Sequence, residues 1–423
     1  MGSRPERRHC PRRPSGLRPR IRLRGSRESG TGTPETVYQI GSISKQFTAA
    51  AILQLVDLGK LRLTDTLGQF VPEITHAQRV TVAQLLNHTS GIRSYTDLWF
   101  TPEYGPGLRV SYSPEAILAL FRTRPLDFTP GSRSSYNNSG YYLLGLIVEK
   151  VSGVSYPEYL ATRIFEPLGL KDTRYCRARD RVPRRARGYL NAGYRRVENA
   201  DVISETHAFS AGALCSTVLD LLRWQSALAN GRVTDYGRMI APTRLNDGTE
   251  VPYGFGLAVG GVGGHRSAEH SGGYSGFWSH LAHYPDDSLT IVVLTNVEGA
   301  QPASIEDAIA RRLLGVPEPR PRDLPTAAAD RERFAGTYVF GGARMGGVAS
   351  DDSYKVEVRA QDDSLVASFQ GVSTRRLLHQ GNGVFVHAGD RGLVFVFQSD
   401  DDRDRQLQVR RGGAVVFEGS RRY

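Results

Sequence analysis

The chain has 423 residues, 39% of them hydrophobic, enough to bury a large core and to divide into two domains. Its formal charge of +11 is unevenly placed, because residues 1–30 hold ten arginines against Glu6 and Glu28. The remaining body is nearly neutral, which argues against a nucleic-acid partner. No apolar run approaches the ~20 residues of a membrane span.

Residues 1–31 are rich in Arg, Pro and Gly and poor in apolar side chains, so they read as a disordered arm. The basic start is followed by no apolar segment, so it is not a secretory signal. As written the chain reads as cytoplasmic, and a misassigned start would equally allow a periplasmic or secreted protein.

Residues 36–40 suit a short strand that feeds a long apolar helix beginning at Ser42. There Phe47, Ala50, Ala51, Leu55 and Leu58 recur at helical spacing, and Gly59 closes the helix. Ser42 and Lys45 project together from the first turn, where unpaired N–H groups and the helix dipole favour developing negative charge. Of 54 basic residues only five are lysines, and only Lys45 has a serine three positions before it. An amine can take a hydroxyl proton once burial lowers its pKa, whereas arginine cannot. The plain alternative is a serine N-cap followed by a solvated lysine.

Thr81 suits the N-cap of a short helix stopped by Gly91, and Ser113-Pro114 that of a helix to Arg122. Residues 129–131 form a turn before Tyr136-Asn137-Asn138, and an apolar helix follows over 141–151. Residues 165–170 read as a structural turn and 176–200 as an arginine-rich exposed loop. A helix is expected from Gly212 through Trp224. Strands are expected at 255–259, 279–284 and 290–295, then a helix at 304–314. Four prolines mark a linker over 316–332. Residues 333–423 read as a small all-β domain of short runs between Gly and Asp turns.

Cys10, Cys176 and Cys215 are odd in number and far apart, showing neither a disulfide framework nor a metal spacing. His265, His270, His280 and His283 match no zinc pattern, so no metal and no cofactor is expected. His88, in His-Thr-Ser-Gly, reads as a buried framework residue rather than a base.

In order, Ser42-Ile43-Ser44-Lys45, Tyr136-Asn137-Asn138 and His270-Ser271-Gly272 resemble the three motifs of the serine β-lactamase and penicillin-binding protein superfamily. Tyrosine in the second motif is similar to the class C branch, which includes D-alanyl-D-alanine carboxypeptidases, D-aminopeptidases and family VIII carboxylesterases. The resemblance covers roughly residues 32–315. It implies an α/β (α+β) fold, an antiparallel sheet flanked by helices plus an all-helical region. The C-terminal part looks like the small lipocalin-like β domain that some members append.

The resemblance also implies roles. Ser42 would attack a carbonyl to form an acyl-enzyme, with Lys45 or Tyr136 removing its proton. Asn138 would bind Lys45 and the substrate amide, while His270, Ser271 and Gly272 would line the substrate. The backbone N–H groups of Ser42 and Gly273 would hold the oxyanion. Histidine stands at 270 where true β-lactamases carry lysine, and neutral imidazole gives a β-lactam carboxylate no permanent cation. Esters, amides or peptides are therefore the expected small-molecule substrates. The alternative from another class is a catalytically silent binding module. Finally, class C-like folds place a helix and strands before the first motif, and the arm lacks the apolar pattern to supply them. That leaves an uncovered sheet edge as a further expectation.

Overall fold

The structure, a computed structural model, describes residues 32–98, 105–191, 197–318, 321–340, 354–369, 372–398, 406–411 and 414–422. The arm over 1–31, with Cys10, lies outside the described residues.

The first motif opens as one 3-10 turn, Gly41–Ile43, which runs into helix α1 (Ser44–Asp57). Nearly every side chain of α1 is buried, so it is a core helix rather than an amphipathic one. Phe47 stacks on Trp224 at 4.0 Å between ring centroids and meets Phe165 edge-on at 5.8 Å. Gly59 follows the helix at φ +69°, as a C-terminal stop requires.

Helix α2 (Val82–Leu86) is held by a capping box between Thr81 and Gln84. It ends at Leu86, not at Gly91, because the chain turns away at Asn87 and His88 takes φ +63°. Helix α3 (Pro114–Ala119) is capped by Ser113 and stops short of Arg122. Helix α4 (Asn138–Ser152) begins inside the second motif, where the Asn137 side chain accepts from the Gly140 N–H at 2.7 Å.

The stretch after Gly212 departs from expectation. Leu214–Ser216 is a strand, and the helix starts only at Val218, capped by Thr217. An apolar run this short cannot be assigned by periodicity alone. Here it is buried between Tyr38–Gln39 on one side and Arg174–Tyr175 on the other. The Arg174↔Cys215 register sets Cys176 beside Cys215, and the two form a disulfide across 39 residues of sequence. The expectation of no disulfide is corrected, since strand pairing decides what spacing along the chain does not. Within the supposed loop at 176–200, Tyr189–Asn191 and Val197–Asn199 pair as two short strands.

The main sheet is antiparallel, in the order Leu289–Thr295, Phe277–Tyr284, His265–Tyr274, Ala258–Val262. The strand expected from Phe255 starts three residues later. Gly256 sits at φ +73°, where a Cβ would be 2.8 Å from the Lys45 carbonyl oxygen. One face of the sheet joins the α1 core through Leu281. The other carries the helix Pro302–Leu314 on Ala282, Tyr284 and Ile291. Among the described residues, Leu289–Thr295 is paired along one edge only.

The C-terminal domain is a closed antiparallel barrel of eight strands from Gly336–Phe340 to Ala414–Arg422, packed on Phe334, Tyr338, Phe385, Phe395 and Phe397. The proline-rich connection is more ordered than a free linker. It contains the helix Ala328–Phe334, and Leu324 donates its N–H to the His379 carbonyl on the barrel at 3.0 Å.

Candidate active site

The site lies where the N-terminal turn of α1, the start of α4 and the edge of the strand His265–Tyr274 meet. Two glycines permit that approach. A Cβ on Gly272 would overlap the Ile40 carbonyl, and one on Gly41 would be 2.6 Å from the Gly273 carbonyl oxygen. Ser42 is thereby set against Gly272 and Gly273, and Ser279 fastens the contact by donating to the Ile40 carbonyl at 2.9 Å.

Neither plain alternative for the first motif survives. No side-chain cap is made at the start of the 3-10 turn or of α1, so Ser42 is not an N-cap. Lys45 is fully buried. Its Nζ lies 3.0 Å from Ser42 Oγ, 2.8 Å from Asn138 Oδ1 and 2.8 Å from the Ala211 carbonyl oxygen. Asn138 is oriented by its own amide nitrogen, which donates to Thr96 Oγ1 at 3.0 Å. The Asn138 and Ala211 oxygens can only accept, so two amine hydrogens are committed to them. A neutral amine then keeps its lone pair for the Ser42 hydroxyl proton. Burial pushes the Lys45 amine well below its ordinary pKa, which favours that neutral form.

Tyr136 moves the opposite way. Burial pushes its phenol up, and a hydrogen bond with Ser42 offsets only part of the rise. Lys45 Nζ sits over the Tyr136 ring, 4.8 Å from its centroid. Lysine and tyrosine are both displaced toward their uncharged forms, as expected when charge is costly to bury.

His270 is buried near Tyr136, at 6.0 Å between ring centroids. Its Nδ1 lies 2.6 Å from the Ser271 carbonyl oxygen and its Nε2 3.1 Å from the Tyr253 hydroxyl. Burial, then the nearby Lys45, pushes its pKa down to about 3. The Ser271 hydroxyl turns to the opposite face of the sheet and pairs with His280 Nδ1 at 2.8 Å. His88 is buried among Tyr136, Tyr141 and Tyr253.

Thus Ser42, Lys45, Tyr136, Asn138, His270, Gly272 and Gly273 converge, whereas the Ser271 side chain points away from them. Sequence reasoning missed Thr96, Ala211 and Tyr253, which reach the site from segments without a motif. The four strand histidines do not assemble: His265 pairs with Asp287 and His283 with Thr290. Among the described residues no group of three His, Cys, Asp or Glu is placed to hold a metal, and no helix is long and apolar enough to cross a membrane.

A family model described as Beta-lactamase matches residues 23–315. Penicillin-binding protein 4* of Bacillus subtilis is 28% identical over 79% of this chain and 77% of its own length. The D-aminopeptidase of Brucella canis is 29% identical over 68% of this chain. There the match spans only 55% of that protein. Among solved structures, the octameric penicillin-binding protein homologue from Pyrococcus abyssi is 27% identical, with a TM-score of 0.62 over 92% of this chain and 90% of that one.

Proposed function

The chain belongs to the Beta-lactamase family and is a β-lactamase-related serine hydrolase, and on that premise we propose that it hydrolyses small amides, peptides or esters through an acyl-enzyme on Ser42. The observation that carries the reading is the Lys45 amine, stripped of water and aimed at the Ser42 hydroxyl from two fixed acceptors.

Neutral Lys45 takes the Ser42 proton as Oγ bonds to the substrate carbonyl carbon. The resulting oxyanion is held by the backbone N–H groups of Ser42 and Gly273. Neutral Tyr136 gives its proton to the leaving nitrogen or oxygen and regains one from the Lys45 ammonium. Water then repeats the sequence on the acyl-enzyme. Asn138 anchors both Lys45 and the substrate amide. The similarity to a D-aminopeptidase supports amides of D-amino acids as the first substrates to try. The depressed His270 supports poor turnover of β-lactams, whose carboxylate it leaves unpaired. The Cys176–Cys215 bond supports a home in an oxidising compartment rather than the reducing cytosol.

The test is mass spectrometry after treatment with a fluorophosphonate. The peptide containing Ser42 gains the adduct mass in the wild type, and nothing is labelled in Ser42→Ala. Hydrolysis of D-amino amides or short p-nitrophenyl esters should exceed that of nitrocefin. A folded wild type that stays unlabelled, or is labelled elsewhere, rejects the proposal.

A further inference from the structure

His270 ends a chain of hydrogen bonds whose direction can be read from one end to the other. At the far end the Asn137 backbone N–H, which can only donate, reaches His88 Nδ1 at 3.1 Å. That nitrogen accepts, so the neutral His88 ring carries its hydrogen on Nε2. His88 Nε2 lies 3.1 Å from the Tyr253 hydroxyl and donates to it. The Tyr253 hydrogen is then free to turn to His270 Nε2, also 3.1 Å away. At the near end His270 Nδ1 faces the Ser271 carbonyl oxygen, which can only accept, so Nδ1 carries the hydrogen of this ring. Backbone groups of fixed polarity close both ends, and with both rings neutral one arrangement of protons satisfies every link.

Adding a proton to His270 would break that arrangement. Tyr253 would then face N–H donors from both histidines, and its own hydrogen would have to leave His270 for the neighbouring Tyr141 hydroxyl, which already donates to the Leu86 carbonyl. Burial opposes protonation as well, and so do Lys45 and His280 whenever either carries a proton, while the Ser271 carbonyl favours it. Lys45 lies across the cleft, His280 stands on the neighbouring strand, and Tyr136 and Tyr253 pack on the ring. Neither ring nitrogen of His270 is left to meet a substrate.

We propose that His88 and Tyr253 are positioning residues that lock His270 as its neutral Nδ1–H form, so that this side of the cleft takes acyl substrates whose leaving group carries no carboxylate. The proposal rests on the serine-hydrolase reading above. A carboxylate seated there would lose water and gain no counter-charge, whereas an amide nitrogen or an alkoxy group carries no such cost.

Protein labelled with 15N-histidine, in its full length and without substrate, reports the tautomer through long-range proton–nitrogen spectra. The His270 signals are those lost in His270→Gln. The expected result is a protonated Nδ1 and an unprotonated Nε2, unchanged between about pH 5 and pH 8. Tyr253→Phe should move the Nε2 signal and bring a titration into that window. A wild-type His270 found as the Nε2–H form, or as imidazolium at pH 6, overturns the lock, whether or not Tyr253→Phe folds. The substrate consequence is read from D-alanine amide against D-alanyl-D-alanine at pH 7.5. We expect kcat/KM to favour the amide by at least ~10-fold, chiefly through KM, since an unpaired buried charge is costly. Equal values overturn the specificity. The tautomer is read without turnover, so inactivity with an unlabelled Ser42 would count against the hydrolase reading while the spectrum still decides the lock.

Discussion

The Ser42 hydroxyl is opposed by two titratable neighbours displaced in opposite directions. Burial lowers Lys45 and raises Tyr136, which favours the shared proton on the phenol, and the proposed mechanism accordingly takes the amine as the base. Lys45→Arg keeps a cation but removes the titratable amine, and Tyr136→Phe removes only the phenol. Each should lower kcat by at least ~10²-fold with little change in thermal stability, as loss of a positioned proton-transfer group does. The sign of the pH dependence is set by the same shift. The proposed mechanism needs uncharged Lys45, so kcat/KM should rise with pH through a value well below the ordinary 10.5 of a lysine and then hold level. A profile that rises only near the ordinary lysine range would remove Lys45 as the base, and so would a Lys45→Arg enzyme that keeps most of its activity. The pairing of Ser42 with Lys45 was legible because both sit on one helical turn. Ala211 and Thr96 were not, since Ala211 lies 166 residues from Lys45 and Thr96 lies 42 residues from Asn138.

At the level of elements, the main antiparallel sheet is clamped on both faces. One face meets α1 through glycines. The other meets the helix Pro302–Leu314, where Glu306 is buried. Glu306 accepts from the Tyr284 hydroxyl at 3.0 Å and stands 3.7 Å from His280 Nε2. Burial pushes its carboxyl up to about 7. A carboxyl whose pKa is raised on folding stabilises the protein fully below its unfolded value, near 4.5. That contribution is lost as pH rises through about 7. Glu306→Gln keeps the acceptor for Tyr284 and removes the charge. It should therefore stabilise at pH 8 by ~1–3 kcal/mol and change little at pH 5. Thermal melts at the two pH values check this, and an equal shift at both would show that packing rather than ionisation sets the effect. Only half of this clamp is visible in the sequence. Residues 304–314 read as a helix, but a carboxylate in such a helix reads as solvent-facing until the sheet beneath it is known.

Across the whole molecule, Cys176–Cys215 ties the short strands before and after the arginine-rich segment to the sheet that feeds the first motif. Closing a loop of 39 residues contributes ~3–4 kcal/mol in the chain-entropy picture. Alkylation of the unfolded chain without reductant should modify one cysteine, and three after reduction. Reduction of the folded protein should lower Tm by several degrees. Three reactive thiols before reduction would exclude the bond. Among the described residues Leu289–Thr295 is paired along one edge only, and the arm on which the expectation of an uncovered edge rests lies outside them.

From the sequence alone came the apolar helix that follows Ser42 and carries Lys45, the order of three motifs and the all-β character of residues 333–423. Each is a local matter of period, cap or turn chemistry, or a resemblance resting on short motifs. Tertiary structure decided which oxygen atoms hold Lys45, that Ser271 turns away from the cleft, that Cys215 lies in a strand bonded to Cys176, and that His270 is tethered through Tyr253 to His88. Those depend on strand register and on burial, and neither is set by the residues nearby. A one-residue change of register turns a side chain to the other face of a sheet, and burial alone sets whether an amine among aromatic rings is a solvated cation or a base.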